Sequence, residues 1–131
     1  TGTTVQNVNS MYESEHIDPR VVGMIHELHK TYKTALLTNA HHEFIDGLLE
    51  KHKLTDLFDQ VLVSSRLGMI KPDPEIFELA LQKLSVRPDE VVYIDDLARH
   101  ANTARKVGMQ TILFQNFEQC QRELASILSH E

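Results

Sequence analysis

The chain has little of what several classes of protein require. Its 131 residues include a single cysteine, Cys120, which excludes an internal disulfide and makes a poor metal site by itself. Its apolar runs are far shorter than the ~20 residues that a membrane-spanning helix needs. Basic residues are outnumbered, 13 against 19 acidic ones, and they form no stripe that could contact a run of phosphates. We therefore expect a cytoplasmic protein that has neither a membrane nor nucleic acid as its partner.

What the sequence does contain is a regular alternation of short apolar runs and amphipathic stretches. The apolar runs indicate strands that are covered on both faces, at 34–37, 61–63, 91–94 and 111–114. The amphipathic stretches indicate helices at 19–30, 41–53, 73–84, 98–107 and 118–128. Strands that alternate with helices in this way form right-handed β-α-β units. The predicted fold is an α/β, three-layer, Rossmann-like parallel sheet with helices on both faces.

The first 18 residues have no clear place in this pattern. We interpret residues 1–18 as an arm, or as the remnant of a removed N-terminal or cap segment, and 19–131 as a partial α/β core domain. The chain begins abruptly, without Met and without a recognisable strand. We therefore expect it to be a piece of a longer protein.

Polar residues follow three of the predicted strands, at the edge where open parallel sheets bind their ligands. Thr38 and Asn39 follow the first strand, Lys71 comes after the second, and Asp95 and Asp96 follow the third. Each group alone has an ordinary explanation, as a helix cap or as a surface side chain. Two adjacent carboxylates at the end of a buried strand, however, repel each other unless a cation is near. Together the set suits a divalent cation and a phosphoryl group.

The same residues lie in three motifs that resemble those of the haloacid dehalogenase-like (HAD) hydrolase superfamily. ALLTN at 35–39, GMIKPDPEIF at 68–77 and VYIDD at 92–96 are similar to that family's second, third and fourth motifs, in the same order. The likeness covers about 19–116. It is closest to the phosphatases and dehalogenases, including the N-terminal phosphatase domain of soluble epoxide hydrolases. It implies a HAD-like core and a hydrolase of a small phosphorylated or other small-molecule substrate, with Mg²⁺ as cofactor.

The resemblance also implies a role for each residue. Thr38 and Lys71 would be catalytic, and with Asn39 they would bind the phosphoryl group. Asp95 and Asp96 would hold Mg²⁺, and Asp96 corresponds best to the family's principal acidic ligand.

The chain departs from the family pattern in its first motif. That motif, Asp-x-Asp-x-Thr after the first strand, carries the nucleophile and is missing here, and no strand is recognisable before Thr38. The missing strand would be central, so we expect two open strand edges that another polypeptide or a missing segment must cover.

A second departure is His100, which stands four residues after Asp96, where the family commonly has Asp or Asn. If His100 faces the metal edge, the neighbouring acids should raise its pKa. The alternative is a shifted helix in which Asn102 supplies the polar contact and His100 lies in solvent.

Three functions are compatible with these features. The first is Mg²⁺-dependent phosphomonoester hydrolysis through an aspartyl-phosphate in the full-length parent protein, with this chain inactive by itself. The second is a noncatalytic HAD-like domain that acts as a scaffold or binds a partner. The third is hydrolysis of a carbon–halogen bond, as in haloacid dehalogenases. The sequence indicates neither the substrate nor the oligomeric state.

Overall fold

A computed structural model describes residues 4–7 and 18–129 of the chain. The strands are β1 Thr4–Asn7, β2 Thr34–Thr38, β3 Gln60–Val63, β4 Val91–Asp95 and β5 Gln110–Leu113. The helices are α1 Pro19–His29, α2 His42–Lys51, α3 Ser64–Leu67, α4 Pro74–Leu84, α5 Ala98–Val107 and α6 Phe117–Leu128. Two 3₁₀ turns, Thr55–Leu57 and Pro88–Glu90, precede β3 and β4.

The five strands form one parallel sheet in the order β3-β2-β1-β4-β5. Side chains alternate between the two faces of each strand, so each face of the sheet has its own apolar core. Helices α1, α2 and α6 pack on one face, and α4 and α5 pack on the other. The predicted three-layer α/β architecture is therefore confirmed. No helix in the described part of the chain has the length and apolarity needed to cross a bilayer.

Strand β1 is the main difference from the sequence-based expectation. It lies between β2 and β4, and Val5 pairs with Thr34 on one side and with Val92 on the other. The prediction of a missing central strand, with open edges on its neighbours, is therefore wrong. The strand has only four residues, TVQN, and this sequence is too short and too polar to predict a strand.

Part of the segment interpreted as an arm thus belongs to the sheet. The remainder of that segment, 1–3 and 8–17, lies outside the described residues. The sequence of β1, TVQN, contains no carboxylate that could serve as the nucleophile of the family's first motif.

Candidate functional site

Asp95, the last residue of β4, is the centre of a buried hydrogen-bond network. Its side chain has no exposed surface. Oδ2 accepts hydrogen bonds from Lys71 Nζ at 3.0 Å and from the Tyr93 hydroxyl, and it lies 3.0 Å from Nδ1 of His100. Oδ1 accepts a hydrogen bond from the Leu97 amide at 3.0 Å. An ionised carboxylate can only accept hydrogen bonds, so Nδ1 of His100 carries a proton.

The network keeps Asp95 ionised. Burial alone would raise the pKa of Asp95, but the charge of Lys71 and the hydrogen bonds from Tyr93 and Leu97 together lower it to about 2. Burial also lowers the pKa of Lys71, and the negative charge of Asp95 opposes that effect. The two side chains form a buried ion pair in which each compensates for the other's loss of water.

Lys71 is fully enclosed rather than a surface lysine. Its ammonium donates to Leu37 O at 3.0 Å, to the Tyr93 hydroxyl at 3.1 Å and to Asp95 Oδ2 at 3.0 Å. An ammonium has three N–H groups, so all of them are paired within the protein. The hydrogen bond to Leu37 O places the Lys71 ammonium at the carboxyl end of β2, next to the residue that precedes Thr38.

Asn39 joins the loop after β2 to the segment that carries Lys71. Its Nδ2 donates to Lys71 O at 3.1 Å, and its Oδ1 accepts from the Lys71 amide at 3.0 Å. The neighbouring Thr38 is buried, and its Oγ1 accepts a hydrogen bond from the Ala40 amide at 3.1 Å. The structure therefore brings Thr38, Asn39 and Lys71 together as the sequence predicts. The two hydrogen bonds of Asn39 link the loop after β2 to the segment that contains Lys71.

The adjacent acids lie in different surroundings. Asp96 is exposed, whereas the side chain of Asp95 is completely buried among the four groups that hydrogen-bond to it. Partial desolvation raises the pKa of Asp96, and the neighbouring Asp95 carboxylate adds to that effect. Asp96 can therefore offer a carboxylate oxygen to a ligand that comes from solvent, and Asp95 cannot.

These surroundings determine which acid fits a magnesium ion. Mg²⁺ takes oxygen ligands, keeps several of its waters and is often bound through one or two carboxylates. The exposed Asp96 fits such a hydrated ion, and Asp95 has no exposed oxygen to offer it. Within 4–7 and 18–129, no group of three or more His, Cys, Asp or Glu residues is placed to hold a metal. The residues present suit a largely water-coordinated hard cation on Asp96.

His100 lies inside the site, on the first turn of α5. It is 2% exposed, whereas Asn102 is exposed and accepts a hydrogen bond from Arg105 at 3.5 Å. The alternative of a shifted helix, with His100 in solvent and Asn102 in the site, is therefore wrong. The expected rise in the pKa of His100 is also wrong, because burial lowers it by more than Asp95 raises it.

Tyr93 belongs to this hydrogen-bond network but was not predicted from the sequence. It lies in an apolar run, and such a run predicts only a buried strand. Residues two apart on a strand point to the same face, so Tyr93 and Asp95 share a face of β4. A tyrosine two residues before a buried aspartate could therefore have been recognised as a donor to it.

These features define a Rossmann-like α/β protein with a buried lysine–aspartate pair at the carboxyl edge of its sheet. Residues 3–114 match the haloacid dehalogenase-like hydrolase family, and the chain belongs to that family.

Two curated relatives are much longer than the part of them that the chain matches. It is 35% identical over 105 residues to bifunctional epoxide hydrolase 2 of Sus scrofa, which covers 75% of the chain and 18% of that protein. It is 32% identical over 95 residues to (S)-2-haloacid dehalogenase 1 of Pseudomonas sp. (strain CBS-3), which covers 72% of the chain and 42% of the relative. The chain thus matches less than half the length of either protein.

A solved HAD-family enzyme from Bacteroides thetaiotaomicron, in complex with magnesium and inorganic phosphate, has a similar structure. The TM-score is 0.70 at 23% identity, over 76% of this chain and 53% of that one. At this identity the likeness shows a shared fold.

Proposed function

We propose that the protein to which this chain belongs is a Mg²⁺-dependent phosphomonoester hydrolase that works through an aspartyl-phosphate. The observation that carries the proposal is the buried Lys71–Asp95 pair, which is held beside Thr38 while the carboxylate of Asp96 remains exposed. A hydroxyl donor, a cation and a hard metal ligand are thereby gathered at the carboxyl edge of one sheet. Membership of a hydrolase family supports hydrolysis as the reaction.

Lys71 offers a ligand neither a free N–H group nor an uncompensated positive charge. All three of its N–H groups are bonded within the protein, and Asp95 neutralises its charge at 3.0 Å. The pair is therefore a dipole without net charge, and a phosphate dianion needs a further cation. Mg²⁺ held on Asp96 would supply that charge. Thr38 has no exposed surface, so its hydroxyl would donate to a phosphoryl oxygen only after the loop that follows β2 moves aside.

The covalent step needs a nucleophile that the described residues do not place at this edge. A carboxylate oxygen attacks phosphorus, the ester P–O bond breaks, and the leaving alkoxide takes a proton from water. Water then hydrolyses the acyl phosphate and regenerates the carboxylate. In this proposal the nucleophile is a carboxylate that the 131-residue chain does not include, because β1, the strand it would follow, has the sequence TVQN.

The position of β1 favours a second candidate function. The strand occupies the centre of the sheet, next to the strands that end at Thr38 and Asp95, and it carries no acid. A noncatalytic HAD-like domain, used as a scaffold or to bind a partner, would keep the fold and the buried pair without a nucleophile.

The test is hydrolysis by the whole protein of a panel of phosphomonoesters and 2-haloacids, with and without Mg²⁺. We expect phosphate release that requires Mg²⁺. Asp96→Asn should abolish this release and weaken Mg²⁺ binding by about tenfold or more in calorimetry, since it removes a metal ligand. The control is Asp56→Asn, an exposed acid on the 3₁₀ turn before β3, which should change neither result.

The other outcomes separate the alternatives. Metal-independent turnover of a haloacid alone would replace the phosphatase with a dehalogenase. If the protein turns over none of these substrates, the result would contradict the phosphatase and favour the noncatalytic domain.

A further inference from the structure

Tyr93 carries a hydroxyl into the apolar layer between the sheet and α4, next to the buried Lys71 and Asp95. Its side chain is completely buried, and its ring packs edge-on against Phe77 of α4, with 5.2 Å between the ring centroids. The burial of the ring is accounted for by this packing, which phenylalanine would provide equally well. The hydroxyl therefore needs a separate explanation.

The hydroxyl bridges the two charges of the ion pair. It donates to Asp95 Oδ2 and accepts from Lys71 Nζ at 3.1 Å. Because the hydroxyl has one proton, donating it to the carboxylate leaves its lone pairs for the ammonium. The direct Lys71–Asp95 bond of 3.0 Å completes a triangle of three hydrogen bonds.

This triangle determines where the ammonium sits. The other acceptor of Lys71 is the backbone oxygen of Leu37, which β2 holds in place. Without the hydroxyl, one N–H of a buried ammonium would lose its partner, and such a group is costly to leave unpaired. The ammonium would then turn toward any other acceptor within reach, and its position beside Thr38 would no longer be fixed.

We propose that Tyr93 is a positioning residue for Lys71, whose hydroxyl fixes the ammonium between Leu37 O and Asp95 at the end of β2. The importance of this position for phosphate rests on the proposed function. The positioning itself is a property of this chain and is testable without any enzymatic activity.

The test measures how fast a small amine-acylating reagent modifies Lys71 in the purified chain, followed by peptide mass spectrometry. Lys71 should react slowly in the wild type, because its side chain is buried. Tyr93→Phe should react about tenfold faster or more, since a hydrogen bond to a charged group is lost. Phenylalanine keeps the ring and its contact with Phe77, so the variant is expected to fold.

Two variants serve as matched controls. Phe77→Leu disturbs the ring packing and keeps the hydroxyl, and His100→Asn changes another partner of Asp95 and keeps every acceptor of Lys71. Both should leave the modification rate of Lys71 near the wild-type value. Each protein is measured below its own thermal transition, so that the reaction reports on the folded state.

A rate in Tyr93→Phe equal to the wild-type rate, or matched by Phe77→Leu, would overturn the proposal. A second measurement separates it from the proposed function. With Mg²⁺ present, Tyr93→Phe should bind inorganic phosphate about tenfold more weakly. If the wild type binds no phosphate, the proposed function fails, and the modification rates still decide the role of Tyr93.

Discussion

Asp95→Asn is expected to lower the free energy of unfolding by about 3–5 kcal/mol, because it leaves the buried ammonium of Lys71 without its counter-charge. An amide cannot replace the carboxylate, because only one of its two terminal atoms accepts hydrogen bonds, whereas both oxygens of Asp95 now accept them. Urea denaturation at pH 7 measures the difference. A loss below about 1 kcal/mol would contradict the assignment of Asp95 as the centre of the network.

Two further variants test whether the loss of stability comes from the buried ion pair. Asp96→Asn removes an exposed carboxylate and should change stability by no more than about 0.5 kcal/mol. The double variant Lys71→Met with Asp95→Leu removes both charges. It should recover much of the lost stability, because no buried charge is left without a counter-charge. Equal destabilisation by Asp96→Asn and Asp95→Asn would contradict the buried pair.

The pH dependence of stability depends on the same carboxylate. The pKa of Asp95 is about 2 in the folded chain, against an ordinary value of 3.8. A lowered pKa means that Asp95 stabilises the fold fully above its ordinary pKa and loses this contribution as the pH falls through 2. The free energy of unfolding should therefore fall less between pH 3.8 and pH 2 in Asp95→Asn than in the wild type.

The purified 131-residue chain is expected to show no multiple turnover of any phosphomonoester, with or without Mg²⁺. The loss of a nucleophile typically lowers kcat by about 10⁴–10⁶-fold, which places any residual rate at the background. Thr38, Lys71 and Asp96 can still bind phosphate and a cation, but they cannot form the covalent intermediate. Continuous measurement of phosphate release at high protein concentration tests this.

One result would contradict that expectation directly. Robust Mg²⁺-dependent phosphatase activity of the chain, abolished by Asp96→Asn, would show that the nucleophile lies within these residues.

Most of the fold could be predicted from the sequence because four of the five strands are short apolar runs. β2 and β4 are buried along their whole length and stand out from the helices around them. β1 could not be predicted for the opposite reason. Its sequence, TVQN, is held in the sheet by backbone pairing to two neighbours, and local composition does not reveal such tertiary pairing.

The residues of the site could be located from the polar side chains at the end of each strand, but their individual roles could not. Asp95 and Asp96 are adjacent in the sequence and have opposite surroundings, because the first still belongs to β4 and the second does not. The direction of the His100 pKa shift could not be predicted for a similar reason. Burial outweighs the nearby negative charge, and burial becomes known only once α5 is packed against the sheet.

The central claim is that the edge formed by Thr38, Lys71 and Asp96 binds a phosphoryl group together with Mg²⁺. The most direct test is a ³¹P NMR titration of the purified chain with inorganic phosphate, with and without Mg²⁺, in the wild type and in Thr38→Val. This substitution keeps the shape of the side chain and removes its hydroxyl. We predict binding that requires Mg²⁺ and that weakens about tenfold in Thr38→Val, since a hydrogen bond to a charged group is lost. Absence of phosphate binding to the folded wild type, or equal binding by Thr38→Val, would contradict the account.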